Sequence, residues 1–263
     1  MKSYLYSRAT KNEANMNVLR NFWKQLFEYN WTFGIFLIVL FGVPRFILVL
    51  NANSSGSGYG FVSIIFVVMW FAPLIFLTKK GRKEIGIKIP DRPLRLLYSF
   101  VLGAASCAIL FFVTNLLFGT SLENSFFYIS KSYSVPVDAL NTNRFMIFIL
   151  FAFYGMIFSP IGEELLYRGV VHGSFVSRFG ENKASIFDAM AFGLTHLAHF
   201  GIIYHLGNWS FLFIPALLWV LFMFAVSRLF FKCKQMCNSI FGAMASHAGF
   251  NIAMMYFIVY YIL

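Results

Sequence analysis

The sequence predicts an all-α fold: a polytopic bundle of about seven or eight transmembrane helices with the N-terminus inside. Composition is the first indication, because 59% of the 263 residues are apolar and only 12% are charged. Soluble domains carry about 25% charged residues, so an ordinary soluble fold is excluded, and so is a disordered chain. The second indication is that the apolar residues form runs close to the ~20 residues that cross a bilayer.

The elements follow in order along the chain. Residues 1–30 are predicted to be cytoplasmic and interfacial, with an amphipathic helix from Asn17 to Tyr29 that turns four apolar side chains toward lipid: Phe22, Trp23, Leu26 and Phe27. Seven apolar runs are predicted to be spans: Trp31–Leu50, Phe61–Leu77, Leu94–Phe118, Arg144 to beyond Pro160, Ala184–Phe200, Phe211–Phe231 and Ser239–Leu263. An eighth, half-length element over Leu165–Phe179 is an alternative.

Two further predictions concern the first span and the segment that follows it. Arg45 lies close to its predicted end, where a long basic side chain can extend along the helix to the interface. The segment 51–60 that follows is uncharged and rich in Ser and Gly, which predicts a flexible linker.

The distribution of basic residues predicts the topology. Eighteen of the 21 Lys and Arg residues fall in the N-terminal segment and in alternate loops, at 78–95, 168–183 and 228–234. Because cytoplasmic loops are enriched in Lys and Arg, the N-terminus is predicted inside and the C-terminus outside. The net charge of +11 is therefore a topology signal that also suits contact with anionic lipid headgroups, and no nucleic-acid partner is expected.

Two adjacent acids stand out among only ten. Glu163 and Glu164 follow the apolar run 145–161 and precede further apolar residues. An ionisable group at membrane depth costs roughly 2.5–3.5 kcal/mol, so a neighbouring group is expected to offset it. Arg168 is one helical turn after Glu164 and can pair with it, and Tyr167 is similarly placed to donate to Glu163. The alternative is a helix that ends at the interface, with these charges as its solvated flank.

Two histidines lie inside predicted spans. His196 and His247 are each about 12 Å from the same side of the membrane, and Asn251 shares the helix face of His247. The glutamates reach that depth only if their span is tilted or starts before Arg144, and we expect the latter, with a helix that continues to about Val171 or beyond. Small residues around His247 allow close approach of neighbouring helices. The alternative is to interpret each residue by itself. Each histidine is then an ordinary core residue, and Asn251 is a hydrogen-bonding link between helices.

The other histidines carry less weight. His199, one turn after His196, could border the same pocket. His172 and His205 are predicted to be loop or interface residues.

This set of residues is suited to hydrolysis. A carboxylate with a histidine can activate water, and a second histidine with an asparagine can donate hydrogen bonds to a tetrahedral oxyanion. Such a hydrolase needs no obligatory metal and no cofactor. A metal site formed by Glu163, His196 and His247 has acceptable ligand types and stays open as an alternative.

Three motifs carry a resemblance to a known family. Glu163-Glu164-x3-Arg168, Phe192-x3-His196 and His247-x3-Asn251 resemble the motifs of the CAAX-protease and bacteriocin-processing family, the Abi-type intramembrane glutamic endopeptidases. The resemblance covers about residues 145–260. It implies a division into the N-terminal segment 1–30, accessory spans over 31–143 and a catalytic core over 144–263.

The resemblance also implies roles. Glu163 is the general base, assisted by His196, and His247 with Asn251 forms the oxyanion hole. The remaining motif residues orient the site: Glu164, Arg168 and Phe192.

The implied activity is cleavage of a peptide bond in a membrane-associated peptide or protein, as in bacteriocin processing or immunity. The expected location is the plasma membrane of a bacterium. One alternative is a non-catalytic membrane immunity or regulatory protein that acts by binding a partner. A proton-coupled transporter ranks lower, because no inverted repeat is visible in the sequence.

Overall fold

The computed structural model describes residues 18–133 and 135–263, and these residues form an all-α bundle as predicted. The first part of the N-terminal segment, including Asn17 at the predicted start of the interfacial helix, lies outside the described residues. The first half of the bundle contains α1 (Asn21–Leu26), α2 (Trp31–Ser55), α3 (Gly60–Phe76), α4 (Lys79–Glu84), α5 (Leu94–Phe118) and α6 (Ser125–Ser130) with a 3-10 turn at Lys131–Tyr133.

The second half begins with one long helical run and ends with two antiparallel helices. Its elements are α7 (Val137–Glu163), a π-helical segment (Glu164–Val171), α8 (His172–Thr195), a 3-10 turn (His196–Ala198), β1 (Ile202–His205), β2 (Asn208–Phe211), α9 (Phe213–Cys237), α10 (Ile240–Phe257) and a terminal π turn (Ile258–Ile262). The hairpin of β1 and β2 was not predicted from the sequence. Leu206 and Gly207 connect its strands with positive φ values of 49° and 81°, as a tight hairpin turn requires.

Among the described residues, five helical runs are long and apolar enough to cross a membrane, and Gly60–Phe76 is a shorter apolar helix. One of the five, Val137–Ala198, has 62 residues. A straight helix of that length would extend about 90 Å, three times the apolar thickness of a bilayer. Gly180, at φ 74° and ψ 165°, divides the run into two helical parts in a backbone conformation that favours glycine. Seven spans with the N-terminus inside stays a prediction.

The interfacial helix is shorter than predicted and only partly turned outward. In α1, Phe22 and Leu26 are exposed, as expected. Trp23 and Phe27 instead pack against the rings of Phe76 in α3 and Phe33 in α2. The prediction that all four face lipid is therefore wrong for these two, because the ends of α2 and α3 offer them an apolar surface.

The predicted linker 51–60 is also partly wrong. Helix α2 continues to Ser55, because the side-chain amide of Asn53 is hydrogen-bonded through both its nitrogen and its oxygen. Its Nδ2 donates to the carbonyl of Ala198 at 2.9 Å, and its Oδ1 accepts from the Tyr59 hydroxyl at 3.2 Å.

Loops meet at two ends of the bundle. At one end, which we call the basic end, residues 78–95 contact the α9–α10 turn, where Ile240 donates its N–H to the Gly86 carbonyl at 2.8 Å. At the opposite end, Ser132 donates to the Tyr59 hydroxyl at 3.0 Å, and Tyr204 donates its N–H to the Tyr128 hydroxyl at 2.8 Å. The basic loops therefore do share one end, as the charge pattern predicts.

Close helix packing in the second half rests on small residues. A Cβ on Gly103 of α5 would overlap the backbone carbonyl of Ser246, and one on Gly249 of α10 would overlap that of Phe100. Helix α10 consequently lies against α5 on one side and against α7 and α9 on the others. The small residues predicted to allow this approach perform that role, and they bring His247 into the centre of the bundle.

Candidate active site

The glutamate pair is buried at the junction of α7 and the π-helical segment. The helix starts before Arg144 and continues past Val171, as expected from the depth of the histidines. Glu163, Glu164 and Arg168 are all fully buried, so the alternative of a solvated helix end is wrong. A π-helical segment within an α-helix is frequent at functional sites, because it re-aims the side chains around it.

Glu163 has three neighbours. Its Oε1 lies 2.6 Å from the Nη2 of Arg45. Its Oε2 accepts from the Ser159 hydroxyl at 3.4 Å and lies 3.7 Å from the Nε2 of His247. The partner expected from the spacing was Tyr167, and that expectation is wrong: Arg45, from a distant part of the chain, takes its place.

Arg45 does not extend to the interface, because it is only 2% exposed. Helix α2 continues ten residues beyond it to Ser55, so the side chain lies inside the bundle. Its Nη1 donates to the Thr195 hydroxyl at 3.1 Å, and its Nη2 lies 3.4 Å from the Nε2 of His196 and 3.3 Å from that of His199. The family resemblance implies that His196 assists Glu163. In the structure the guanidinium of Arg45 lies between these two residues and contacts both.

Glu164 faces away from Glu163 and holds two partners. Its Oε1 lies 2.8 Å from the Nδ1 of His247, and its Oε2 lies 3.2 Å from the Nε of Arg168. The ion pair expected from the i,i+4 spacing thus forms. The contact is not a hydrogen bond, because the N–H of the Arg168 Nε does not point at the carboxylate oxygen. The Arg168 guanidinium also lies over the rings of Phe192, at 4.2 Å, and Phe230, at 5.4 Å.

A chain of charged groups, which we call the closed cluster, continues from Arg168 toward the basic end. It consists of Glu164, Arg168, Asp188, His172 and Glu181. Asp188 lies 4.0 Å from the Arg168 Nε and 2.7 Å from the His172 Nδ1, and the His172 Nε2 is 2.8 Å from Glu181. The prediction of His172 as a loop or interface residue is wrong, since it is 2% exposed.

Hydrogen-bond partners determine the tautomers of the two central histidines. A carboxylate and a carbonyl only accept, so His247 donates through Nδ1 to Glu164, and His196 donates through Nδ1 to the Phe192 carbonyl at 2.7 Å. In each ring Nε2 is left for the site, where it accepts a hydrogen bond if the ring is neutral and donates one if the ring is protonated. It faces Ser159, at 3.3 Å, in His247, and Arg45 in His196.

Each of these two histidines also packs against a phenylalanine ring. The Phe192 and His196 ring centroids are 4.2 Å apart, which is the packing that the family resemblance implies. His247 stacks on Phe230 at 4.8 Å with an interplanar angle of 18°. Both rings are held in one orientation.

A cavity of about 220 Å³ is lined in part by Ser159 and His247, the residues that contact the Oε2 of Glu163, and most of its wall is apolar. Its polar lining includes Arg45, Ser159, His196, His199, His247 and Asn251. Asn251 donates one amide hydrogen to the Gly155 carbonyl at 2.8 Å, which leaves the second free to face the cavity. Of the predicted residues, Phe192, His196, His247 and Asn251 therefore line this space and His199 borders it as well, whereas Glu163, Glu164 and Arg168 are not part of its lining.

Two residues of this region were not singled out by sequence reasoning. Arg45 was assigned to a span end because the Ser/Gly-rich segment suggested that the helix stops at Leu50. Asp188 was not considered as a site residue, although its apolar neighbours Phe187, Ala189 and Met190 were a signal of burial. Within residues 18–133 and 135–263, His, Cys, Asp and Glu side chains form no group of three or more that could hold a metal ion.

The geometry defines a mostly apolar pocket with histidine, arginine, serine and asparagine side chains in its wall, inside a bundle of helices long and apolar enough to cross a membrane. Residues 145–253 match the model of the Rce1-like family, described as type II CAAX prenyl endopeptidases. The match contains all three motifs and covers less than half of the chain, and it confirms the family resemblance predicted from them. No curated protein and no solved structure matches this chain.

Proposed function

We propose that this protein is a glutamic intramembrane endopeptidase that hydrolyses a peptide bond of a membrane-associated peptide or protein. The observation that carries the proposal is that Glu163, although it does not line the cavity, contacts two residues that do: Ser159 at 3.4 Å and the Nε2 of His247 at 3.7 Å. A carboxylate so placed can accept a proton from a water molecule in the cavity.

In the proposed reaction, Glu163 takes a proton as the water oxygen attacks the carbonyl carbon of the substrate. The resulting oxyanion accepts hydrogen bonds from the Asn251 amide and from His247, whose protonated ring donates through Nε2. Glu164, bonded to Nδ1 of that ring, stabilises the imidazolium. The C–N bond then breaks, and the proton held by Glu163 passes to the leaving amine.

The supporting residues act on orientation in this proposal. Arg168 holds Glu164, and Phe192 lies against both Arg168 and His196. Arg45 connects Glu163 with His196, so His196 assists the base through the guanidinium. The protein would act as a multi-pass protein of a bacterial plasma membrane, near anionic headgroups, without a cofactor.

The test is Glu163→Gln in purified protein reconstituted in vesicles, assayed by mass spectrometry against a set of apolar peptides. Removing the base while keeping its size should lower cleavage at least about a hundredfold. The matched control is Glu84→Gln, since Glu84 is exposed and paired only with Lys80 at 3.8 Å. Unchanged cleavage by folded Glu163→Gln protein would exclude the mechanism and favour the non-catalytic binding protein.

A further inference from the structure

Another depression lies on the surface at the basic end, where the last turn of α3 meets α1 and α4. Its volume is about 800 Å³, and we call it the basic pocket. In the part of the chain that the structure describes, no acidic residue lines it. The lining that matters here consists of three cations and three apolar or aromatic side chains: Arg20, Lys79, Arg82, Phe22, Trp23 and Ile75.

Backbone hydrogen bonds join the two segments that form this pocket. Arg20 donates its N–H to the Phe76 carbonyl, and Thr78 donates its N–H to the Val18 carbonyl, both at 2.9 Å. The Trp23 ring packs on the Phe76 ring at 4.7 Å. Residues that are far apart in the sequence are therefore held in one wall by the fold.

Two guanidinium groups lie against the last turn of α3 in this wall. Arg20 donates through Nη1 to the Leu74 carbonyl at 2.8 Å, and Arg82 donates through Nη1 to the Leu77 carbonyl at 3.1 Å. Each guanidinium has five N–H donors, so donors remain for a further acceptor. The end of a helix carries only about half a negative charge. Together with Lys79, the pocket therefore keeps an excess of positive charge.

The acidic residues that follow the pocket segments along the chain have other partners. Glu84 lies 3.8 Å from the Nζ of Lys80, and Glu28 accepts from the Asn30 amide at 3.1 Å. An anion that pairs with the pocket has to come from elsewhere. A phosphate group has the right chemistry, because guanidinium groups bind its oxygens through parallel N–H bonds.

An apolar stripe on α3 leads to the pocket. Exposed side chains recur along this helix at intervals of three and four residues: Phe61, Ile64, Val68, Phe71 and Ile75. This spacing places them on one face of the helix, which contacts acyl chains when the bundle lies in a membrane. Ile75 ends the stripe and also lines the pocket, so the pocket lies where the headgroup of a lipid on this stripe would be.

We infer that the basic pocket binds the phosphate of an anionic phospholipid whose acyl chains lie along the exposed stripe of α3. The stripe favours a lipid over a soluble anion, because a free phosphate has no apolar part to bury. The cations favour an anionic lipid over a zwitterionic one, since each Lys or Arg near the surface adds to the attraction. This binding does not depend on the proposed function.

Native mass spectrometry of the full-length protein in detergent, with phosphatidylglycerol added, tests the pocket. We expect Lys79→Glu to bind this lipid at least about tenfold more weakly, the equivalent of one charge-assisted hydrogen bond. The matched control is Lys83→Glu, because Lys83 is exposed on the same helix as Lys79 but does not line the pocket. Equal weakening by the two variants would mean a diffuse surface attraction and would overturn the inference.

Two further measurements separate the sources of the phosphate and the role of the arginines. Glycerol 3-phosphate carries the same phosphate without acyl chains and should bind much more weakly than phosphatidylglycerol. If it binds as tightly, the pocket is a site for a soluble anion and the lipid assignment is wrong. The double variant Arg20→Gln/Arg82→Gln, with folding checked by circular dichroism, should also lose the lipid. Unchanged binding by the folded double variant would contradict the inference as well.

Discussion

Glu163 and Glu164 are adjacent and chemically identical, yet they belong to two different regions of the molecule. Glu163 contacts two residues that line the cavity, Ser159 and His247. Glu164 is held in the closed cluster by Arg168 and by the Nδ1 of the same histidine. Consecutive residues on a helix point about 100° apart, so one pair of acids can serve both regions. The open side is suited to chemistry and the closed side to orientation.

The contribution of the closed cluster to the free energy of unfolding is measured best by removing one of its members. Replacing a whole buried ion pair by apolar residues is often neutral, whereas removing one partner leaves an uncompensated buried charge. The open side has a different vulnerability, because its residues contact a space that water or substrate fills. Substitutions there should change the reaction rate more than the free energy of unfolding.

The largest effect is expected from Arg168→Met. Glu164 and Asp188 would lose their shared cation in a buried position, so the free energy of unfolding should fall by about 3–5 kcal/mol. Thermal unfolding in detergent measures it, with the exposed Arg92→Met as control. If both variants unfold alike, the closed cluster does not stabilise the fold.

Asn251→Ala addresses the open side. Loss of one oxyanion donor should lower kcat about 10²- to 10³-fold, with little change in unfolding temperature. Single-turnover cleavage in vesicles measures the rate, and Asn208→Ala on the exposed hairpin serves as control. A large change in KM with an unchanged kcat would argue against the oxyanion role.

The smallest effect is expected from Arg45→Lys, at the boundary of the two regions. Lysine keeps the charge near Glu163 but cannot reach Thr195 and His196 as well, since it lacks the guanidinium fork. Loss of one charge-assisted hydrogen bond, about 1.5 kcal/mol, should lower kcat about tenfold. Arg144→Lys, whose side chain donates to the Val259 carbonyl, is the matched control. Equal rates in both variants would restrict Arg45 to a structural role.

Local patterns were sufficient for much of this description. The lengths of the apolar runs predict the helices, and the i,i+4 spacing predicts the Glu164–Arg168 pair. These relations need only the geometry of one helix. Which loops share an end of the bundle was also predictable, because loops rich in basic residues alternate along the chain with loops that have few.

Relations between helices were less accessible. Arg45 and His172 were both assigned to the surface, although each is 2% exposed, because their partners lie on other helices or beyond a break. The hairpin between α8 and α9 depends on a non-glycine residue at positive φ, for which the sequence carries no strong signal.

The amino-acid sequence was enough to predict an all-α membrane protein and the seven residues of its three motifs, since apolar length and helical spacing are properties of single segments. It predicted the pair of Glu164 with Arg168 but not the pair of Glu163 with Arg45, which divides the two acids between two regions. That division depends on which face of the π-helical segment meets α2 and which meets α8 and α10. Close approach at small residues such as Gly103 and Gly249 sets those faces, and packing of this kind exists only in the assembled bundle.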